Sequence, residues 1–355
     1  MKKLLLFLLL FTFCKAISAQ LQPAMADSFL HFIKTNKSKS SLFIVANDTV
    51  IASLNESKLM PLASTVKVLV AIEFAKQAAR RVINAESYIA LKDINKYYLP
   101  NTNDNGHANW LKFEGEIKNI KKDSIKLLEV AAGMMRFASN ANEEFLMDIL
   151  GFDNVKNNIQ LFGLKQHSAI FPMASSLFMY QNPYKLSEAK VLKAISRLSE
   201  QEYCKSIFTI HNQLKYDSSF KPKFRLQDIT PNAQKLWSQR LPSSTTKEYV
   251  QLVKILNKRK FLDYQAYGIL AEILEFSMEN IKFQKTFKHY GSMGGSTPTV
   301  FTHVVYAALR DGNKMEFSVF FEDLSAPQLQ MLQRSIGFFE QRIITDKSFR
   351  EKLSF

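Results

Sequence analysis

Cysteine is nearly absent from this 355-residue chain, which holds only Cys14 and Cys204. Cys14 lies in an N-terminal segment expected to be removed, so Cys204 is left alone. An internal disulfide framework is thereby excluded, and the core must carry the stability. Internal repeats and low-complexity linkers are also missing. Beyond the N-terminus no stretch has the unbroken apolar length of a membrane span, so a soluble mature protein without stable membrane insertion is expected. The many lysines form no basic stripe interleaved with aromatics, which argues against nucleic acid as a partner. Asp104, Asn105 and His107 fall in one polar stretch, but their spacing fits no ligand pattern, and no metal is expected.

What is present reads as globular: 46% hydrophobic and 22% charged residues. The N-terminal "MKKLLLFLLLFTFCKAISAQ" has two lysines, a short apolar run and small residues at the end of the segment. That is the pattern of a secretory signal peptide over 1–19, cut after Ala19. Phe13 is too bulky for the site before a lipid-attachment cysteine, which argues against lipidation at Cys14. Removal of Lys2, Lys3 and Lys15 lowers the net charge from +15 to +12. A basic exported protein meets anionic envelope surfaces, although a solvated basic surface needs no specific partner.

Residues 22–36 read as a first helix. "SLFIVANDTVIASL" (41–54) reads as a hairpin turning at Asn47-Asp48. A helix is expected from Ser64 to about Arg81, and 82–260 reads as mostly helical with long loops. Within it, Asp123-Ser124 is an N-cap signal. Thr245 and Glu248 form a capping box, and 262–276 is a further helix. Three strands follow at 288–296, 301–312 and 314–324, with a turn at Asp311-Gly312, and then a helix from about Pro327 to Ile344. The expected fold is α+β: a five-stranded antiparallel sheet flanked by helices, plus an all-helical lobe, with a cleft between them. We expect one two-lobed domain over 20–355. Its α/β lobe comprises about 20–63 and 262–355, and its helical lobe about 64–261.

The chemistry centres on "PLASTVKVLV" (61–70). Ser64 would start a helix and Lys67, three residues on, would share its face. The neighbours Val66, Val68, Leu69, Val70, Ile72 and Phe74 are apolar nearly all round, so the helix is expected to be buried. Burial disfavours a charged lysine and can make it a general base for an adjacent serine. The helix N-terminus favours a developing oxyanion near Ser64. Ser-x-x-Lys alone is a common pattern, equally compatible with a snorkelling lysine and a plain N-cap serine.

Two further segments extend the pattern. "MMRFASNANEEFLMDILG" (134–151) carries Ala138, Ser139 and Asn140, where Asn140 also reads as a helix N-cap with Glu143 completing a capping box. "GSMGGSTPTVF" (291–301) reads as a glycine-rich strand end, which a substrate backbone can approach closely.

With these three segments in order, the chain from about 40 to 340 resembles the penicillin-recognising serine hydrolases, the class A β-lactamases and related DD-peptidases. The resemblance implies Ser64 as nucleophile, Lys67 as general base, and Asn140 contacting substrate and lysine. It implies an oxyanion hole from the backbone amides of Ser64 and Ser296. Ser139, Met293, Gly294, Gly295 and Ser296 would line the substrate site.

The departures are specific. Ala138 stands where the family has a proton-shuttling serine, with Ser139 adjacent but out of register. Met293 stands where the family has the lysine that holds a substrate carboxylate. No E-x-x-L-N stretch occurs between 152 and 185, where class A enzymes carry the glutamate that activates the deacylating water; "FPMASSLFMY" (171–180) lies there instead. Ser139, Ser292, Ser296, His289 and Tyr290 fall near the cleft by alignment and are candidate substitutes. The polar stretch 97–110 is expected near the cleft mouth or as a plain surface loop.

The resemblance therefore implies an exported serine hydrolase, in the periplasm or outside the cell. It would be monomeric, without cofactor, and would act on a β-lactam or peptidoglycan-type amide. Two alternatives stay open: a DD-peptidase or other amide or ester hydrolase without efficient β-lactam turnover, and a non-catalytic binder of cell-wall fragments on a disabled scaffold.

Overall fold

The Asn47-Asp48 turn forms because both residues adopt left-handed φ angles, 48° and 66°, which short polar side chains tolerate. It joins β1 (Ser40–Ala46) to β2 (Thr49–Leu54). Strands β3 (Phe287–Thr297), β4 (Val300–Leu309) and β5 (Lys314–Phe321) come from the other end of the chain. The five make one antiparallel sheet in the order β2-β1-β5-β4-β3, which places the glycine-rich β3 at an edge. The computed structural model describes residues 23–102, 105–181 and 186–355.

The principal helices are α1 (23–35), α2 (Val68–Ala79), α3 (Leu127–Arg136), α4 (Asn140–Leu150), α5 (Glu200–Tyr216), α6 (Thr246–Lys258), α7 (Tyr264–Leu274) and α8 (Ala326–Thr345). Both faces of the sheet are covered. On one face Phe29 of α1 stacks on Phe339 of α8 at 4.4 Å and meets Phe321 of β5 edge-on at 5.5 Å. On the other, Met293, Val304, Tyr306 and Phe320 join the core built around α2 and the middle of the chain. Helix α6 is fastened to this second face: Thr246 Oγ1 meets Ser41 Oγ at 2.7 Å, and Ser318 Oγ donates to the Thr246 carbonyl at 2.7 Å.

Three local expectations change. The 124–126 stretch does not cap a helix; it pairs as a short strand with Tyr88–Ala90, and α3 begins at Leu127. Ser139, not Asn140, is the N-cap of α4: its Oγ accepts from the Asn142 amide at 3.2 Å. Only half of the Thr245 box forms. Thr245 accepts from the Glu248 amide, but the Glu248 carboxylate turns to the Gln166 amide and Ser244. In each case a longer-range partner outcompetes the local one, because side chains that could close a turn can also reach across the fold.

The edge strand meets the Ser64 turn with no room to spare. A Cβ built on Gly295 would lie 2.4 Å from the Ser64 nitrogen, 2.9 Å from Ala63 Cβ and 3.0 Å from Thr302 Oγ1. Gly294, one residue away, would meet nothing closer than 3.4 Å. Gly295→Ala is therefore expected to lower stability by about 1–3 kcal/mol through overpacking. Gly294→Ala should be close to neutral. Chemical denaturation of the two variants side by side checks the pair.

Candidate active site

Ser64 and Lys67 sit in a tight 3-10 turn, Ala63–Lys67, that leads into α2. The serine does not cap the helix with its side chain. Ala63, just before it, holds a φ of 46°, a conformation that costs an alanine energy and persists only where the surroundings enforce it. The surroundings here are Leu62 and Thr65. The Leu62 amide donates to the Pro242 carbonyl at 2.8 Å. Thr302 Oγ1 of β4 lies 2.7 Å from Thr65 Oγ1 and donates to the Leu62 carbonyl at 2.9 Å. The turn is thus tied to the sheet, with Ser64 only 4% exposed. As the second residue of the turn, its N–H is one of those that a helix start leaves without an intrahelical acceptor.

Lys67 is 0% exposed. Its Nζ donates to the Ala138 carbonyl at 2.5 Å and to Asn140 Oδ1 at 2.7 Å. An ammonium has three donors; the third position, or the lone pair of the free amine, remains for Ser64 or for a carboxylate. Burial pulls Lys67 well below the ordinary lysine range, opposed by the carboxylate of Glu143. Ala138 presents its carbonyl from a left-handed φ of 53°. The residue standing in place of a shuttling serine thus serves the lysine through its backbone.

Glu143 was legible in the sequence only as a partner in a helix cap. It is 0% exposed, one turn after Asn140 on α4. Its Oε2 accepts from the Met173 amide at 3.2 Å, while Oε1 has no partner among the described residues. Burial lifts its carboxyl well above the usual carboxylate range; Lys67 opposes that shift and Glu144 adds to it. The signal in the sequence was a pair of adjacent glutamates, Glu143 and Glu144, early in an expected helix.

The other candidate residues divide. Asn140, Ser296 and Thr297 line a cleft of about 390 Å³. Its walls are Asn101 and Thr102 from the polar stretch at 97–110, Leu177, Trp237, and Gln330 of α8. Of that stretch, residues 103 and 104 lie outside the described residues. His107 is buried: its ring meets Asn95 Oδ1 at 2.8 Å and Ser139 Oγ at 3.0 Å. Burial holds this imidazole down to about 4, so it is neutral.

Ser139, expected to line the substrate site, is instead fully buried between His107 and the α4 amides. A hydroxyl held by three partners is not free to take the vacant serine's place. Met293 is 3% exposed and packs in the core between the sheet and α2; an apolar side chain at an inward position of β3 stays in the core. His289 bonds to Asn257 on α6, and Tyr290 donates to Glu340 on α8. Neither is among the described residues that line the cleft.

The segment 171–180 forms a short helix, Met173–Phe178, buried throughout. It carries no carboxylate of its own. It receives two from α4, since Glu143 accepts from the Met173 amide, and Glu144 from the Ser175 amide at 3.0 Å and the Ser175 hydroxyl.

Comparison with solved structures recovers the same architecture. The class A beta-lactamase from Bacteroides cellulosilyticus DSM 14838 superposes with a TM-score of 0.52 at 15% identity, covering 92% of this chain and 99% of that one. The beta-lactamase from Sphaerobacter thermophilus DSM 20745 gives 0.57 at 14%, covering 90% and 96%. The penicillin-binding protein PBP-A gives 0.53 at 11%, also covering 90% and 96%. At such identities the likeness is one of fold. No curated protein sequence matches the chain. The profile of the Beta-lactamase enzyme family matches residues 24–337, nearly the whole of the described chain, and the protein belongs to that family.

Proposed function

We propose that the protein is a serine hydrolase that works through an acyl-enzyme. Ser64 Oγ attacks an amide or ester carbonyl, forming the O–C bond as its proton passes to Lys67. The carbonyl oxygen takes up the negative charge between the amides of Ser64 and Ser296. Lys67 then returns the proton to the leaving group as the C–N or C–O bond breaks. The observation that carries this reading is Lys67: wholly out of water, one turn from the serine, held by Ala138 and Asn140, and depressed by burial towards the free amine. Two features support the oxyanion site. Gly295 abuts the Ser64 nitrogen, and an edge strand leaves alternate backbone amides unpaired.

The substrate we propose is a β-lactam or a peptidoglycan-type amide without a carboxylate at the position the family usually clamps. Met293 supplies no cation. The described cleft lining has no charged side chain; its polar groups are amides and hydroxyls, among them Asn101, Asn140, Gln234, Gln330 and Gln333. The protein would act outside the cytoplasm as a monomer, a reading that rests on the N-terminal segment 1–19 and on the absence of any sequence feature demanding a partner. Slow deacylation, as in a peptidase, is favoured by the carboxylate-free Met173–Phe178 helix.

Three results are expected. Incubation with a fluorescent penicillin should add the mass of the opened β-lactam to the intact protein. Ser64→Ala should reduce that labelling by at least about 10³-fold, the loss of a nucleophile. No adduct at high probe concentration would sink β-lactam recognition. Second, the methyl ester of the same penicillin should label within about threefold of the free acid. A working carboxylate clamp would make the difference about 10- to 100-fold, the worth of a charge-assisted hydrogen bond. Third, Ser139→Ala should cost about 1 kcal/mol as a lost helix cap, measured by thermal unfolding, and should slow labelling of the folded protein by less than about tenfold, where loss of a proton-transfer group would cost about 10²- to 10⁴-fold.

A further inference from the structure

We propose that Glu143 acts on the reaction through Lys67, as the buried carboxylate, one helical turn from the lysine's Asn140 partner, whose charge governs how readily that lysine gives up its proton. This rests on the reading of Lys67 as the base. The geometry begins on α4. Asn140, whose Oδ1 accepts from Lys67 at 2.7 Å, and Glu143 lie three residues apart and so share a helix face. The Glu143 side chain is fully buried, yet one carboxylate oxygen has no partner among the described residues. A buried carboxylate oxygen left unpaired is costly, and such a group calls for a ligand, a water or a proton. Lys67, across the interface with α2, is equally buried and has one nitrogen position unassigned.

The ionisable groups facing Glu143 are few. From the turn before α2 comes Lys67. On its own helix Glu144 is adjacent, but its oxygens are committed to Ser175 and to His211 Nδ1 at 2.8 Å. From α5 comes His211, itself bonded to Glu144 and, at 3.4 Å, to Asp148. The Met173–Phe178 helix offers only the Met173 amide to Glu143. Glu144 and His211 are bonded to one another, which leaves Lys67, among the described residues, as the uncommitted cation facing Glu143.

The link is one of charge, since Lys67 and Glu143 make no hydrogen bond or ion pair with each other. An ionised Glu143 favours the Lys67 ammonium, and a protonated Glu143 favours the amine. The amine is then free to take the Ser64 proton. Glu143 is thus a positioning residue that acts on the charge of the lysine. It is not part of the segment between 152 and 185; it lies on α4, against the Met173 amide of that segment.

The test reads Lys67 directly. The full mature chain is labelled with 13Cε-lysine, the Lys67 resonance is assigned by its loss in Lys67→Met, and its shift is followed against pH. In the unaltered protein the resonance should titrate in two steps, at pH values below the ordinary lysine range. Glu143→Gln removes the negative charge that favours the ammonium, so a single step displaced to lower pH by about one unit or more is expected, the equivalent of about 1.4 kcal/mol. The acid limb of penicillin labelling at Ser64 should move down with it.

A Lys67 titration that is the same in both proteins would overturn the proposal. Should the glutamine variant fail to fold, Glu143→Asp, with its carboxylate drawn back by one methylene, is expected to shift the titration in the same direction by less; no shift there also overturns it. A shifted titration in a protein that never labels would keep the coupling of Glu143 to Lys67 and remove only the acyl-transfer reading.

Discussion

An ammonium taken wholly out of water costs several kcal/mol unless its donors are met and a countercharge is near. Much of this fold serves that one requirement at Lys67. The Ala138 carbonyl reaches it from a strained left-handed residue, and Asn140 brings its Oδ1 from the first turn of α4. Both depend on where α4 starts. That start is set by Ser139 capping the helix and by His107 holding Ser139 in place. A buried histidine, a capping serine and a strained alanine thus act together to hold a lysine in a state between charged and neutral.

The second constraint is one of distance. The edge strand approaches the Ser64 turn so closely that only a residue without a Cβ fits at Gly295. Thr302 draws the two together by bonding the turn at Leu62 and Thr65. The same approach brings Ser296 to the rim of the cleft opposite Asn140. Serine and lysine come from one turn and the cleft from other stretches of chain, and packing of the sheet against α2 holds them in register. Where its relatives by resemblance place charge on this strand, Met293 adds to the hydrophobic core instead. A buried lysine stays one turn from the serine while the described part of the cleft is lined by neutral groups.

Much of this could be read directly from residue order. The hairpin at Asn47-Asp48, the three C-terminal strands and the last helix follow from periodicity and turn chemistry, which are local properties. Ser64, Lys67 and Asn140 were visible because a serine and lysine one turn apart in an apolar run, followed by an asparagine before a helix, form a pattern that survives without coordinates. Gly295 was visible as one of two adjacent glycines, though not as the one that could tolerate no side chain.

What remained hidden was decided by competition between local and distant partners. Ser139 and Asn140 both suited the cap of α4; the cap went to the serine because Lys67, 73 residues away in sequence, took the asparagine. His289 and Tyr290 sat beside the glycine-rich motif in sequence, yet strand pleating and the helices packed on the sheet turned them to Asn257 and Glu340. Glu143 read as half of a capping box and became a buried carboxylate beside the lysine. The sequence by itself determined most of the elements, their order and the spacing of Ser64 and Lys67, because those depend on near neighbours. Only the tertiary structure decided which polar groups are buried and what they bond, because the cost of leaving water depends on every element that packs around them.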